Sequence, residues 1–594
     1  MNTADNHTLA NDKVISKQFF RLLPVQILLV AIPSLNGIIS SIFGSNLLGE
    51  TALSAIGMYA PILSFMTAIG TMLMGGSQIL CGKYMGSNQV ERTQEIFSLD
   101  LTTAAILSLI ISAVLLVTGV FDLAVFMNPD TVVRSVFNRY LIGMAIGIFP
   151  MLMGNQISAF LSMEMQGKRS TVATVLFVIT NLVLTLLFLG VLRLQAFGLA
   201  LAASIGYWVY LIYQVLYYFS GKSILKLKLV RMHPSDISEI VMIGFPGALT
   251  QLYLTIRRLV LNGLMVRYIG TAGLSSFQAS DSLLAIFWSI PLGMAAVSRM
   301  MMSVAVGEED RQSLKDILKT MITRCMLIEI GVMAALILCA VPFTRVYYRD
   351  VTEPIYQMTL NGFRLVPITM PLGLFCQMVL NYAQVTKKQL LVHTEAALDG
   401  AICVCITAPL LVPSMGMNGV YLSVIINGIA TAVYPLLYSF VYNKGVPKNA
   451  DALLMIPEDF GAAENERMDI SLTSLDEVVN LSKQIQDFCL ERGVDERRSY
   501  LSGLFLEEMA GNVIEGGFPK DNKKHSVDVR VVHKDDDIIL RIKDDCVAFD
   551  PLERAKLFEP EDITKNIGIR MVSKIAQDVA YQNILGLNVL TIRI

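Results

Sequence analysis

The stretch Leu48-Gly49-Glu50-Thr51-Ala52-Leu53-Ser54 recurs as Ile269-Gly270-Thr271-Ala272-Gly273-Leu274-Ser275, and this repetition decides the fold. The two stretches lie 221 residues apart, and each follows a long apolar run. Three further pairs share that spacing: Gly86 with Gly307, Pro150 with Pro371, and Gly198 with Gly419. Because each pair holds the same place in a unit of six apolar runs, the sequence predicts two parallel six-helix lobes. Such repeats are related by an axis along the membrane normal, and the substrate site is expected between them.

Twelve apolar runs fill the chain between residues 18 and 443, each long enough for the roughly 20 residues that a helix needs to cross a bilayer. They lie near 19–43, 54–80, 99–120, 140–163, 171–192, 197–219, 240–266, 278–304, 321–343, 357–383, 389–413 and 418–442. The sequence therefore predicts an all-α polytopic membrane protein, with its first lobe in residues 1–222 and its second in 223–443.

The composition agrees with a membrane protein. Hydrophobic residues make up 54% of the chain and charged residues 16%, and the mean hydropathy is +0.56, outside the range of ordinary soluble proteins. A formal net charge of −2 offers no electrostatic footprint for nucleic acid, so no such partner is expected. The eight cysteines include no CxxC pair, which argues against a zinc site or a disulfide framework.

Lysines and arginines are concentrated in alternate loops. Lys13, Lys17 and Arg21 stand at the start of the first run, and Lys387 and Lys388 precede the eleventh. By the positive-inside rule, this asymmetry places both termini in the cytoplasm. We therefore expect a multi-pass protein of the plasma (inner) membrane whose C-terminal region is exposed to cytosolic ATP.

Charged residues inside the spans are candidates for transport chemistry, because a charge in the bilayer costs about 2.5–3.5 kcal/mol on insertion scales unless it faces a cavity or a partner. Those that stand out all lie in the second half, and the main candidates among them are Arg257, Arg258, Arg299 and Asp399. We predict that the arginines line the cavity and meet an anionic substrate or a carboxylate, and that Asp399 titrates as a coupling site. The alternative is that these groups pair with one another and hold the second lobe together. Neighbouring residues on a helix point about 100° apart, so Arg257 or Arg258 is expected to be structural.

The motifs Leu48-Gly49-x-x-Ala52-Leu53-Ser54-Ala55, Gly154-Asn155-Gln156, Gln166-Gly167 and Gly244-Phe245-Pro246, together with the repeat, resemble those of the MATE (multidrug and toxin extrusion) exporters. The resemblance covers residues 15–443. It implies a V-shaped antiporter that exports drugs or other small organic compounds by alternating access between two lobes, in exchange for H⁺ or Na⁺.

One position departs from that family. Many members carry an aspartate in the first span, nine residues before the glycine that matches Gly49, and here that position is Ser40. The polar residues that the first half offers for the cavity are Asn36, Gln78, Asn155 and Asn181. We therefore expect the coupling chemistry to lie in the second lobe.

Residues 468–594 follow a polar linker at 444–467 and show the pattern of an α/β sandwich. Met468–Leu472 reads as a strand, and the capping box Ser474-x-x-Glu477 opens a helix. The rest of the pattern predicts a second helix from Asp495 to Gly516-Gly517, a hairpin at 526–532 and 538–543, a helix near 568–577, and a last strand ending at Ile594.

Glu508 and Asn512 are four residues apart, so they share a face of the second helix, where they could hold Mg²⁺ and orient a water or hydroxyl. The stretches Leu506–Asn512, Asp544–Pro551 and Asn566–Val572 resemble the nucleotide-binding boxes of the histidine-kinase-like (GHKL) ATPase domain, nearest to the anti-sigma serine kinase type. The resemblance implies an ATP site in which Glu508 is the catalytic base-like residue and Asn512 the Mg²⁺ ligand. It also implies that Asp544 contacts the adenine amine and that Gly568 lies beside the phosphates.

Three positions of these boxes depart from the GHKL pattern. Cys546, Ala548 and Asn566 stand where glycines normally allow backbone and nucleotide to approach closely. We expect weakened nucleotide binding and still weaker turnover.

The leading interpretation is a MATE-like secondary exporter whose cytoplasmic domain senses a nucleotide or a regulatory protein. A lipid-linked-sugar flippase of the same superfamily is an alternative, since arginines suit a diphosphate. A membrane-bound serine kinase or sensor is another. The sequence contains no Gly-x-x-x-x-Gly-Lys-Ser/Thr loop, so the C-terminal domain is not expected to drive transport directly.

Overall fold

The computed structural model describes residues 14–31, 50–123, 131–221, 223–227, 233–520, 525–534, 536–556 and 567–594. Within these ranges, twelve helices are long and apolar enough to cross a membrane, which confirms the predicted polytopic architecture. The helices, α1 to α12, span Val14–Ala31, Glu50–Gly86, Val90–Val120, Thr131–Met163, Gly167–Val191, Gln195–Phe219, Asp236–Tyr268, Thr271–Gly307, Arg311–Leu338, Pro354–Val385, Gln389–Met415 and Met417–Tyr442. A further short helix, Ala340–Tyr347, lies between α9 and α10.

These spans are helical because a bilayer contains no water to form hydrogen bonds with backbone N–H and C=O groups. Each span must therefore form these hydrogen bonds within itself. Three of them contain a π-helical segment, Leu186–Val191 in α5, Met321–Cys325 in α9 and Leu398–Ile402 in α11. Such segments are rare and often occur at functional sites. The segment in α11 carries Asp399.

The two lobes meet at a seam built from glycines. A Cβ on Gly86 would lie 2.2 Å from the carbonyl oxygen of Val304 in α8, and a Cβ on Gly307 would lie 2.1 Å from that of Lys83 in α2. The second contact repeats the first at the 221-residue offset, so α2 and α8 touch across the axis that relates the lobes. Small residues let helix backbones approach closely in membranes. The seam confirms the two parallel lobes expected from the repeat.

The C-terminal region is a five-stranded antiparallel sheet with helices, as predicted for an α/β sandwich. Its strands are β1 Arg467–Leu472, β2 Val527–Lys534, β3 Asp537–Asp544, β4 Asp578–Ile584 and β5 Leu587–Arg593, in the order β1-β2-β3-β5-β4. Its helices are α13 Leu475–Glu491, α14 Glu496–Gly516 and α15 Ile567–Ile575, together with a short turn of helix at Pro551–Lys556. Strand β4 had not been predicted, because its sequence Asp578-Val579-Ala580-Tyr581-Gln582-Asn583-Ile584 lacks a clear alternation of apolar and polar residues.

Helices α13, α14 and α15 cover one face of this sheet. Buried residues such as Val529, Leu540 and Ile592 point to that side and pack against Phe505 and Val572. Because side chains alternate along a strand, the intervening residues project from the opposite face. That opposite face is directed at the ends of the membrane helices, and we call this end of the helices the domain side.

Residues 444–467 are packed against the second lobe. They include the short helix Ala450–Leu454, and Leu454, Met455 and Ile456 are buried. Lys315 of α9 donates to the carboxylate of Asp451 at 2.9 Å. This segment therefore fixes where the C-terminal domain lies.

Candidate functional site

The polar residues predicted for the second lobe meet where α7, α11 and α12 pack together. Arg257 donates to the backbone carbonyl of Asp399 at 3.4 Å, and the Asp399 carboxylate accepts a hydrogen bond from Asn427 at 2.9 Å. One turn earlier in α11, Glu395 is 1% exposed and accepts a hydrogen bond from the Cys376 thiol. Arg257 and Asp399 are thus brought together as expected, with Glu395 as an additional acidic group.

The other two arginines differ from Arg257. Arg258 is 3.8 Å from the carboxylate of Asp281, and both side chains are largely exposed, at 72% and 51%. Arg299 is half-buried in α8, and within the described residues it makes no hydrogen bond or ion pair. Of the three predicted arginines, Arg299 is therefore the one left able to take an external anion.

The polar residues predicted in the first lobe each bond to a different partner and, within the described residues, do not converge on one site. Gln78 donates to the carbonyl of Ala159 at 3.3 Å, and Asn181 accepts from Thr185, one turn along α5, at 3.4 Å. Asn36 and Ser40 lie outside the described residues. Gln78 corresponds to Arg299 in the repeat, and each lies one turn from the point where Gly82 meets Ser303 across the seam.

A carboxylate of the first lobe was missed from the sequence. Asp100 in α3 is 0% exposed and accepts a hydrogen bond of 2.6 Å from Ser77 in α2. It lies ten residues, or about 15 Å, from the domain-side end of α3, a helix long and apolar enough to cross a membrane. Asp100 stands at the start of the run 99–120, so its place within an apolar stretch was the available signal. Asp100 therefore adds an acidic residue of the first lobe to the second-lobe candidates predicted from the sequence.

Buried acidic groups also occur in α9. Glu329 is 0% exposed, and within the described residues neither of its carboxylate oxygens has a hydrogen-bond partner. Ionisable groups in the bilayer are costly and usually mark proton or ion pathways. Asp100, Glu329 and Glu395 therefore extend the set of candidate coupling residues beyond Asp399.

In the C-terminal domain, the structure brings Glu508, Asn512 and Gly568 together. The first two lie on α14, and the side-chain amide of Asn512 donates to the backbone carbonyl of Glu508 at 2.5 Å. Gly568 begins α15 so close to α14 that a Cβ on it would lie 1.7 Å from Oε2 of Glu508. Any side chain at position 568 would therefore displace that carboxylate from its place.

Asp544 ends β3 on the same side of the sheet. Its Oδ1 accepts from Asn588 of β5 at 2.8 Å and from the backbone N–H of Cys546 at 3.0 Å. Burial raises the pKa of Asp544, and these hydrogen bonds counteract part of that effect. Both of these hydrogen bonds are accepted by Oδ1, so Oδ2 is the oxygen that an adenine amine would use.

The residues on α14 and α15 lie next to Asp544. Gly517 at the end of α14 lies against Cys546, and a Cβ on Gly517 would lie 3.2 Å from the thiol sulfur. An acceptor for adenine, a helix N-terminus for phosphate and an amide oxygen for Mg²⁺ are thus arranged along α14, β3 and α15. These residues fit a magnesium nucleotide. Asn566, one of the substituted glycine positions, lies outside the described residues.

Family models match both parts of the chain. The MatE model matches residues 27–187 and 246–395, which together exceed half of the sequence. The model described as histidine kinase-like ATPase domain matches residues 473–594. Both matches confirm the two resemblances found in the sequence.

Solved structures of MATE transporters share the fold of the membrane part. One is described as the outward-facing conformation of a multidrug resistance MATE family transporter of the MOP superfamily, with 21% identity and a TM-score of 0.66, covering 71% of this chain and 95% of the other. A MATE in complex with MaL6 gives 21% identity and a TM-score of 0.67, over the same shares. A MOP superfamily transporter from Pyrococcus furiosus, described as having a binding pocket of reverse polarity, gives 20% identity and a TM-score of 0.65, again covering 71% of this chain and 95% of the other. No curated protein matches the chain closely enough to count as a relative.

Proposed function

The chain belongs to the MatE family, and we propose that it is a secondary active exporter of small organic compounds. In this proposal the lobes, residues 1–222 and 223–443, rock about the seam between α2 and α8 and expose a central cavity to each side in turn. The chain lies in the plasma membrane with both termini in the cytoplasm, so the domain side is the cytoplasmic side. The glycine contacts of the seam support a state that is closed on that side.

The observation that carries the proposal is the set of acidic groups that are buried or partly buried within the spans. Asp100 in the first lobe and Glu395 and Asp399 in the second are held by hydrogen bonds to neighbouring helices, and none has a cation at salt-bridge distance within the described residues. We infer that they exchange H⁺ or Na⁺ when the cavity opens, and that this exchange drives export.

Transport by purified protein in liposomes tests this proposal. The liposomes are loaded with a panel of fluorescent organic compounds, and a proton or a sodium gradient is imposed in separate experiments. We expect uptake or release that follows one gradient, with at least a tenfold loss in Asp100→Asn or Asp399→Asn. Asp350→Asn, in an exposed loop, is the matched control and should transport like wild type. A transport rate that depends on neither gradient would contradict the proposal.

The C-terminal domain is proposed to regulate the exporter by binding nucleotide. Asp544 would hold the adenine amine, Asn512 the Mg²⁺ ion, and the α15 N-terminus at Gly568 the phosphates. Bound Mg²⁺-ATP would supply a transferable phosphoryl group, for which Glu508 is the base-like residue. Binding of labelled ATP to the full-length protein, lost in Asp544→Asn, would support this role.

A second candidate function is favoured by Arg299. An unpaired arginine in a span suits a substrate with a phosphate or diphosphate group, as in a lipid-linked sugar. One similar transporter is described as having a binding pocket of reverse polarity. Restored growth of a strain that lacks its lipid-linked-sugar flippase would favour this function over export of organic compounds.

A further inference from the structure

The face of the C-terminal sheet that carries no helices contacts both lobes of the transporter. Hydrophobic residues of β4 and β5, including Ile584 and Leu587, join the same buried cluster as Phe19 of α1 and Val304 of α8. A cavity of about 40 Å³ remains where α1, α8 and the sheet meet, which is room for about one water molecule. The domain is thus packed closely against the lobes at this junction.

The contact with the second lobe is ionic and buried. Arg530 of β2 lies 2.6 Å from the carboxylate of Asp310, and Lys543 of β3 lies 2.6 Å from that of Glu308, both in the turn between α8 and α9. The acidic side chains are only 3% and 4% exposed. Removing one partner of a buried pair leaves an uncompensated charge, so this contact is costly to separate.

The contact with the first lobe is made by the turn between β4 and β5. Gln18 of α1 donates to the carbonyl of Leu585 at 2.9 Å, and Gln582 bonds to Asn88 in the turn between α2 and α3. Gly586 has φ +77°, and a Cβ on it would lie 2.9 Å from the side chain of Met165, in the turn after α4. Glycine is needed here both for the backbone conformation and for the close approach.

A second bond to the first lobe starts beside the nucleotide site. Lys17 at the start of α1 donates to the carboxylate of Asp545 at 2.5 Å, and His525 lies 2.8 Å from the other oxygen of that carboxylate. Asp545 directly follows Asp544, the proposed adenine contact. Successive residues at the end of a strand point to opposite faces. Asp544 therefore reaches Asn588, whereas Asp545 reaches α1.

We propose that the C-terminal domain is a latch that joins the domain-side ends of the two lobes, and that nucleotide binding beside Asp544 releases its hold on α1. The nucleotide part rests on the regulatory role proposed above. One folded sheet bonded to both lobes must lose one of its contacts before the lobes can separate. The polar contact with the first lobe is the weaker one. Lys17 is 55% exposed, and among the described residues the turn between β4 and β5 is held by isolated hydrogen bonds and not by ion pairs. The domain keeps its ionic contact with the second lobe and loses its contact with the first.

Hydrogen exchange of full-length protein in lipid nanodiscs tests the latch. Gly586→Val places a side chain against Met165, and we expect the exchange rate of residues 14–22 and 582–589 to rise at least tenfold. Gly493→Val is the matched control, because Gly493 also has φ +77° but has nothing within 4 Å of its Cβ position. Strand β2, held by Arg530, should keep its protection in both variants. Lys17→Glu, which repels Asp545, should repeat the effect without touching the turn.

Addition of Mg²⁺-ATP to the wild type should raise exchange in residues 14–22 in the same way. Unchanged exchange in both Gly586→Val and Lys17→Glu would overturn the latch. Bound ATP without a change in exchange would overturn its control by nucleotide. If ATP does not bind at all, the proposed regulatory function fails, while the two variants still decide whether the latch exists.

Discussion

The guanidinium of Arg530, in the C-terminal sheet, lies 2.6 Å from the carboxylate of Asp310, in the turn between the eighth and ninth membrane helices. Asp469 of β1 accepts from Arg530 as well, at 2.5 Å. Burial raises the pKa of Asp310, but the charges of Arg530 and Lys543 outweigh it and hold that pKa far below its usual range. The carboxylate is thus ionised at any physiological pH, and the soluble domain is anchored by a permanent charge.

Replacing Asp310 by Asn should destabilise the full-length protein by about 3–5 kcal/mol, because Arg530 then keeps a buried charge with one partner fewer. The measurement is the midpoint of thermal unfolding in detergent. The stabilisation is present above the unfolded pKa of aspartate, near 4, and is lost as pH falls toward the lower folded pKa. Arg530→Met combined with Asp310→Leu should recover part of the loss. An unshifted midpoint in Asp310→Asn would rule out this anchor.

Asp528 should make stability fall as pH rises. Burial raises its pKa to about 6, with the hydrogen bond from Ser471 and the charge of Lys543 acting against burial, and with Asp545 and Asp469 adding to it. The folded state therefore keeps a proton that the unfolded chain loses near pH 4, so stability declines between about pH 4 and pH 6 and is constant above. Asp528→Asn should remove this decline and stabilise the protein by about 2 kcal/mol at pH 7.5. Unfolding midpoints from pH 4 to 8 in both proteins provide the check.

Gly568→Ala should weaken nucleotide binding. The added methyl group would lie 1.7 Å from the Glu508 carboxylate, which must then leave its place on α14. Gly511→Ala, on the same helix, is the control, since the nearest atom to its new Cβ is 4.0 Å away. Binding of labelled ATP to full-length protein should fall at least tenfold in the first variant only. Equal affinities would show that the site does not use Gly568.

Gly244→Val should prevent α7 from packing against α2, because the Cβ would lie 1.8 Å from the Met72 carbonyl in α2. Gly247→Val, three residues along α7, has nothing within 4 Å of its Cβ position and should behave like wild type. The readouts are transport in liposomes, which should be lost, and hydrogen exchange at residues 72–86, which should rise. Normal transport by Gly244→Val would mean that the close approach is not needed.

Arg299→Gln should separate the two candidate functions. If the substrate is anionic, its apparent affinity should fall tenfold or more, since an arginine contact to phosphate is charge-assisted. Arg258→Gln serves as the control because Arg258 is exposed and pairs with Asp281. Loss of affinity for cationic or neutral compounds in Arg299→Gln would contradict an anion-binding role.

The contact between the two lobes shows which part of the fold could be predicted from the sequence. Gly86 and Gly307 were recognisable as a pair because the repeat places them at the same point of two identical units, and the bilayer permits only helices there. The span 99–120 was also predicted, yet Asp100 was overlooked as a site, because its depth depends on where α3 meets Ser77 of α2.

The sequence by itself determined twelve spans, two parallel lobes and a GHKL-like domain, because these depend on local hydrophobicity, on the 221-residue repeat and on short motifs. Only the tertiary structure decided which polar groups meet. It brought Arg257 within hydrogen-bond distance of the Asp399 backbone and Glu508 into contact with Gly568. It also formed the ion pairs of Arg530 with Asp310 and of Lys17 with Asp545. The physical reason is that each of these contacts joins separate helices, strands or turns, and residues distant in sequence come within bonding distance only when those elements pack.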